Sequence, residues 1–122
     1  MSSDKAERQD WRRRVRDIVD SAARIWEYAG SSDLEHLAAD RKTLAAVCWE
    51  FAVIGEAVRH VPDDVQARFP EVPWAEMRGM RNAIVHGYDT VDLAILWDTI
   101  AVDLPAVVPL LQSVLATGTA KP

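Results

Sequence analysis

The sequence predicts an all-α fold, an elongated antiparallel bundle of four or five helices whose last helix is kinked or broken near Pro105. Three observations predict it. Apolar residues recur at steps of three and four along most of the chain, which is the period of an α-helix. Glycine (5) and proline (6) are scarce, which argues against a turn-rich β fold. The first apolar stripe marks a helix of about 25 residues, roughly 37 Å long. That is well beyond the radius of about 14 Å expected for a compact chain of this size.

Trp11, Val15, Ile18, Ala22, Ile25 and Ala29 form the first stripe, which stops at Gly30. Ser31-Ser32-Asp33 is a turn that supplies a cap for a short helix near Leu34 to Ala39. Asp40 is a good N-cap for a third helix, striped by Leu44, Val47, Cys48, Phe51, Gly55 and Val58 and ending before Pro62. Pro62-Asp63-Asp64 opens a short helix to about Phe69, closed by Pro70. Pro73 suits the first turn of a fourth helix, which runs to about His86 and stops at Gly87. Thr90 is the expected N-cap of the last helix. Its expected stripe is Val91, Ala94, Trp97, Ile100, Ala101, Leu104, Val108, Leu111 and Leu115. Pro105 inside that stripe removes a backbone donor and crowds the preceding turn.

A chain of 122 residues is one domain's worth, here 1–122 with a tail expected to fray from about Thr117. At 49% apolar it can build a core, which excludes disorder as the main reading. A lone cysteine, Cys48, excludes a disulfide framework, and its place on a core stripe suits a small buried hydrophobe. His36, His60 and His86 are 24 and 26 residues apart, without metal-ligand spacing, so no metal is expected. The first residues hold no apolar segment of the signal-peptide kind. The apolar run Leu44 to Val58 carries Glu50 and Glu56 and is too short to span a bilayer. These features favour a cytoplasmic chain with no membrane partner. The net charge of −5 excludes a general nucleic-acid coat, so any nucleic-acid role needs a local patch.

The chemistry concentrates in Trp74 to Tyr88. At about 100° per residue, Met77, Met80 and Ile84 form a core stripe. Arg78, Asn82 and His86 lie nearly opposite, and Arg81 flanks that polar face. Arg81 and His86 differ by about 140° on a straight helix, so they meet only if the helix ends first. Two arginines suit a phosphate, Asn82 adds an amide, and His86 is of the one side-chain type whose ordinary range lets it exchange a proton near neutral pH. Such parts suit metal-free RNA cleavage, in which a base takes the 2′-hydroxyl proton and arginine stabilises charge on phosphorus. Favourable placement of cations near a helix C-terminus is the competing structural reading.

Arg81-Asn82-Ala83-Ile84-Val85-His86-Gly87-Tyr88 reads as Arg-x4-His-x-Tyr. It resembles the signature of the HEPN superfamily, in particular the HepT-like toxins. Ile54-Gly55-Glu56-Ala57, Pro73-Trp74, Gly79-Met80, Val91-Asp92 and Leu104-Pro105 match in the same order, as does the opening helix with Tyr28-Ala29-Gly30. The resemblance covers roughly residues 11 to 115. It implies a homodimeric, all-helical ribonuclease toxin of a type VII-like toxin–antitoxin module, acting on RNA rather than DNA and using no cofactor. It further implies a cognate MntA-like nucleotidyltransferase antitoxin that transfers AMP to the motif tyrosine. Residue by residue, Arg81 and His86 are then catalytic, Asn82 matches the motif's polar position and Tyr88 is the modified residue; Arg78, Asn82 and Glu56 are expected to support the site. The other readings are a non-catalytic nucleotide-binding or adaptor HEPN domain and a plain helical dimerisation protein.

Glu56 lies off the third helix's main stripe, on a second face shared with Trp49 and Ala52. It either orients Arg78 or Arg81 beside a dimer seam or forms a rim salt bridge of little worth. Arg12-Arg13-Arg14 and Arg16 alternate with Asp10, Asp17 and Asp20 at i,i+4, which favours a salt-bridged surface over an RNA grip. Trp26, Trp74 and Trp97 lie on apolar stripes and read as core or interface. His36 and His60, near helix ends, are given no role.

Overall fold

The structure is a computed structural model that describes the backbone of residues 2–87 and 92–119 and the side chains of 11–84 and 92–117. No strand occurs among the described residues. Helix α1 spans Ser2–Ala29, and the whole expected stripe from Trp11 to Ala29 is buried. Gly30 follows because a Cβ there would run into the ring and carbonyl of Trp26. Trp26 itself is half-exposed rather than core. Helix α2 (Leu34–Ala39) is capped by Asp33, whose carboxylate accepts from the His36 amide at 2.8 Å. Helix α3 (Arg41–Arg59) is capped by Asp40, which accepts from the Thr43 amide at 3.1 Å and its hydroxyl at 2.6 Å. Each cap satisfies a backbone donor that the first helical turn leaves unpaired.

Helix α4 (Asp63–Arg68) leads through Phe69 to α5 (Trp74–Gly87). Pro73 stands one residue outside α5, where its carbonyl accepts from Met77 at 3.1 Å. Buried Trp74 donates its indole N–H to the Phe69 carbonyl at 3.0 Å, tying the entry of α5 to the end of α4. Helix α3 is the central element, packed on α1 on one side and α5 on the other. The turn through α2 is short, so α1 and α3 are antiparallel.

The last stretch is α6 (Leu93–Asp98), a π-helical turn (Thr99–Asp103) and α7 (Leu104–Thr119). Its N-cap is Asp92, which accepts from the amides of Ala94 and Ile95; the expected cap, Thr90, lies outside the described residues, as does Val91. The disturbance expected at Pro105 takes the form of the π turn. A proline ring crowds the carbonyl four residues back, here Ala101, and the wide turn gives that carbonyl room. The Leu104 amide accordingly donates five residues back, to Thr99. This turn also corrects the expected stripe. The buried residues are Leu96, Ile100, Leu104, Val107, Leu111 and Val114, while Ala94 is exposed and Trp97 only partly covered. A wide turn takes a smaller angular step per residue, so Leu96, Ile100 and Leu104, four apart, stay on one face. Leu93–Thr117, with mean hydropathy 1.7, is long and apolar enough to cross a membrane by length and composition. It is longer than the 44–58 run. Its buried stripe packs with α1, while most of the stretch is left uncovered.

Candidate functional site

Helix α5 carries the polar residues that the sequence singles out. Ile84 is buried, and Met77 and Met80 pack partly against the core, so the apolar side of α5 is as expected. Arg78 and Asn82 are exposed. Arg81 is less exposed than a flanking position suggests, at 27% of its side chain. The cause lies on α3. A Cβ at Gly55 would overlap the Cβ of Arg81, so the helices approach closely at this point and Arg81 leaves α5 along the α3 surface.

There its guanidinium meets Glu56, with Nη2 3.7 Å from Oε1, and Nη1 donates to Asn82 Oδ1 at 3.2 Å. Glu56 thus faces Arg81, and no contact joins it to Arg78. The same carboxylate accepts from Arg59 Nη1 at 3.2 Å and lies 3.3 Å from His60 Nε2. Burial pushes the Glu56 carboxyl up, but the hydrogen bond to His60 and the charges of Arg59 and Arg81 outweigh this and hold it below its ordinary value. The result is one carboxylate among three basic side chains, a local positive patch on an acidic chain. His60, given no role from sequence, belongs to this cluster. Its signal was the i,i+4 spacing from Glu56.

His86 lies in the last turn of α5, and its side chain is outside the described residues. Tyr88 is outside them altogether. Because α5 is helical from Trp74 through Gly87, Arg81 and His86 share one unbroken helix, and the earlier ending that would let the two meet within one chain does not occur.

A second polar contact escaped sequence reasoning. Glu50 is 6% exposed, and Arg24 Nε of α1 donates to its Oε2 at 3.0 Å. Arg24 Nη2 also donates to the buried Ser21 hydroxyl at 3.2 Å. Glu50 Oε1 has no hydrogen-bond partner among the described residues. The signal for this pair was a carboxylate inside the most apolar part of α3. Next to it, Trp49 is 68% exposed. Trp49, Ala52 and Glu56 recur at i, i+3 and i+7, so an exposed tryptophan and the Arg81 cluster lie along one face of α3. Cys48 is buried, and burial pushes its thiol up, which keeps it an unreactive neutral group. No group of three or more His, Cys, Asp and Glu among the described residues could hold a metal ion.

Comparisons with known proteins identify the family. A family model described as "Ribonuclease HepT-like" matches residues 18–114. A protein of Thermococcus cleftensis named "Probable ribonuclease HepT" is 36% identical over 92 residues, covering 75% of this chain and 84% of the relative. A "Putative RNase" of Methanocaldococcus jannaschii is 34% identical over 91 residues, with 75% and 84% covered. Another from that organism is 31% identical over 98 residues, with 80% and 81% covered. No solved structure matches. The chain belongs to the HepT-like ribonuclease family.

Proposed function

We propose that this chain is a metal-independent endoribonuclease, the toxin of a type VII-like toxin–antitoxin module, acting in the cytoplasm as a homodimer. The observation that carries the reading is Arg81, held at the α3–α5 seam by Gly55 and Glu56, one helical stretch before His86. His86 takes the proton of an RNA 2′-hydroxyl. The 2′-oxygen attacks phosphorus, the P–O5′ bond breaks, and the leaving oxygen takes a proton from water. Arg81 stabilises the charge that develops on the phosphoryl oxygens. The products are a 2′,3′-cyclic phosphate and a 5′-hydroxyl. Arg78 and Asn82, exposed on the same helix, hold the neighbouring backbone.

The exposed Trp49 face supports the homodimer, since a second copy would cover it and bring two Arg81 clusters to one seam. The resemblance supports a nucleotidyltransferase antitoxin that silences the toxin by AMP transfer to Tyr88. The test is cleavage of a labelled RNA with the ends identified. His86→Ala and Arg81→Ala should each slow cleavage by at least about a hundredfold, and a chelator should leave the wild-type rate unchanged. Full activity of His86→Ala, or abolition by the chelator, would overturn the mechanism.

A further inference from the structure

On the other side of α5 lies a groove of about 430 Å³ that the ribonuclease reading does not use. Helices α5 and α7 both lean on the α1–α3 layer but leave a gap between them. The floor of the gap is the α1–α3 seam, with Ile18, Phe51 and Ile54, and its walls include Met77, Met80 and Leu110. Its volume is within the range of ligand sites, about 300–1,000 Å³. Methionine walls adapt to the shape of an inserted side chain.

The charge at the mouth is one-sided. Glu71, Glu76 and Asp103 stand at the groove, and no lysine, arginine or histidine among the described residues lines it. All three are exposed, and none pairs with another described residue. Three carboxylates around an apolar slot favour an occupant that is apolar in the middle and cationic at its edges. RNA is a polyanion and is repelled. A second copy seated through a two-fold axis would set one acidic rim against another.

We propose that this groove docks a short amphipathic helical segment of a partner protein, one that buries large apolar side chains and flanks them with lysine or arginine. Helix-in-groove recognition has this form. On α5, Met77 and Met80 point nearly opposite Arg78 and Asn82, so a segment docked here leaves the Arg81 cluster open. The inference therefore stands or falls independently of RNA cleavage.

The test is fluorescence anisotropy of the full chain with two labelled synthetic peptides, an amphipathic leucine/lysine helix and its leucine/glutamate counterpart. Saturable binding of the first alone is expected, with a photo-crosslinker on its apolar face labelling Met77 or Met80. Glu71→Lys/Glu76→Lys/Asp103→Lys should weaken binding at least about tenfold. The charge-matched control Glu27→Lys/Glu35→Lys/Asp63→Lys, elsewhere on the surface, should change it less than about twofold. Ala106→Trp, which fills the groove from α7, should weaken it as the rim variant does. Equal losses in the rim and control variants, or crosslinks away from the groove, would overturn the proposal. So would absence of binding, or a rim variant that changes the oligomeric state and thereby makes the occupant a second copy.

Discussion

Gly55 on α3 faces the Cβ of Arg81 on α5 with no room between them for a side chain. The contact couples packing to the placement of Arg81, because the helix seam that glycine permits is what aims the guanidinium at Glu56.

Gly55→Ala is the direct check. In an ordinary helix interior this change stabilises by up to about 1 kcal/mol. Here the new methyl must push α5 away, and overpacking of this kind costs about 1–3 kcal/mol. Denaturant unfolding should show net destabilisation. RNA cleavage should fall at least about tenfold through displacement of Arg81. A more stable and fully active variant would refute the close approach.

The Glu56 carboxyl lies below its ordinary value of 4.5. Its pairing therefore contributes fully above that value and is lost as pH falls through the lower folded-state value. Between about pH 5 and 8 the group stays ionised, so it cannot produce an acid limb in a cleavage profile, whereas a histidine can. Glu56→Gln should lower kcat/KM about tenfold while the acid limb remains. A limb that vanishes with this substitution would make Glu56 the titrating group.

The outer frame of the molecule was legible because local signals agree with tertiary ones. The stripe of α1 is buried residue for residue, and Asp33 and Asp40 cap the helices that follow them. The Met77–Met80–Ile84 side of α5 faces inward as its period requires. Legibility failed where a residue's meaning depends on a distant element. The phase of the last helix is reset by a π turn, which a fixed 3.6-residue period cannot express. Arg81 looked like part of a solvent-facing edge, because nothing in its own helix announces Gly55. Glu50 was visible as a carboxylate in an apolar run, but its partner Arg24 is 26 residues away in sequence.

That pair supports a stability prediction. Arg24 is half-exposed and Glu50 is not, so the ion pair itself is partly screened. Arg24→Met still removes the donor of a buried carboxylate, and an unsatisfied buried polar group costs about 1–3 kcal/mol. Arg24→Met/Glu50→Leu removes both and should recover much of the loss. A thermal-denaturation cycle checks this. A double variant less stable than Arg24→Met alone would contradict it.

Trp49 supports a prediction about assembly. A tryptophan 68% exposed, beside Ala52 on the face that leads to Glu56, is a suitable centre for a two-fold contact. Trp49→Glu should convert a dimer into a monomer in light scattering at about 10 μM, with its helical circular dichroism unchanged because the side chain leaves the core untouched. A wild-type monomer at that concentration, or a variant that stays dimeric, would move the interface elsewhere.

Tyr88 follows His86 by two residues, and its modification would act on the same chemistry. On the proposed reading, an added AMP would bring a negative phosphodiester and a bulky base to a position two residues from His86 in sequence. Arg78 or Arg81 would then pair with that phosphate in place of the RNA backbone, and both charge and volume would oppose the substrate. Incubation with a cognate nucleotidyltransferase and ATP should add the mass of AMP to the wild type and not to Tyr88→Phe. Cleavage should fall in proportion to the modified fraction. An equal mass gain on Tyr88→Phe would place the acceptor elsewhere. Full cleavage by the modified chain would separate the modification from inhibition.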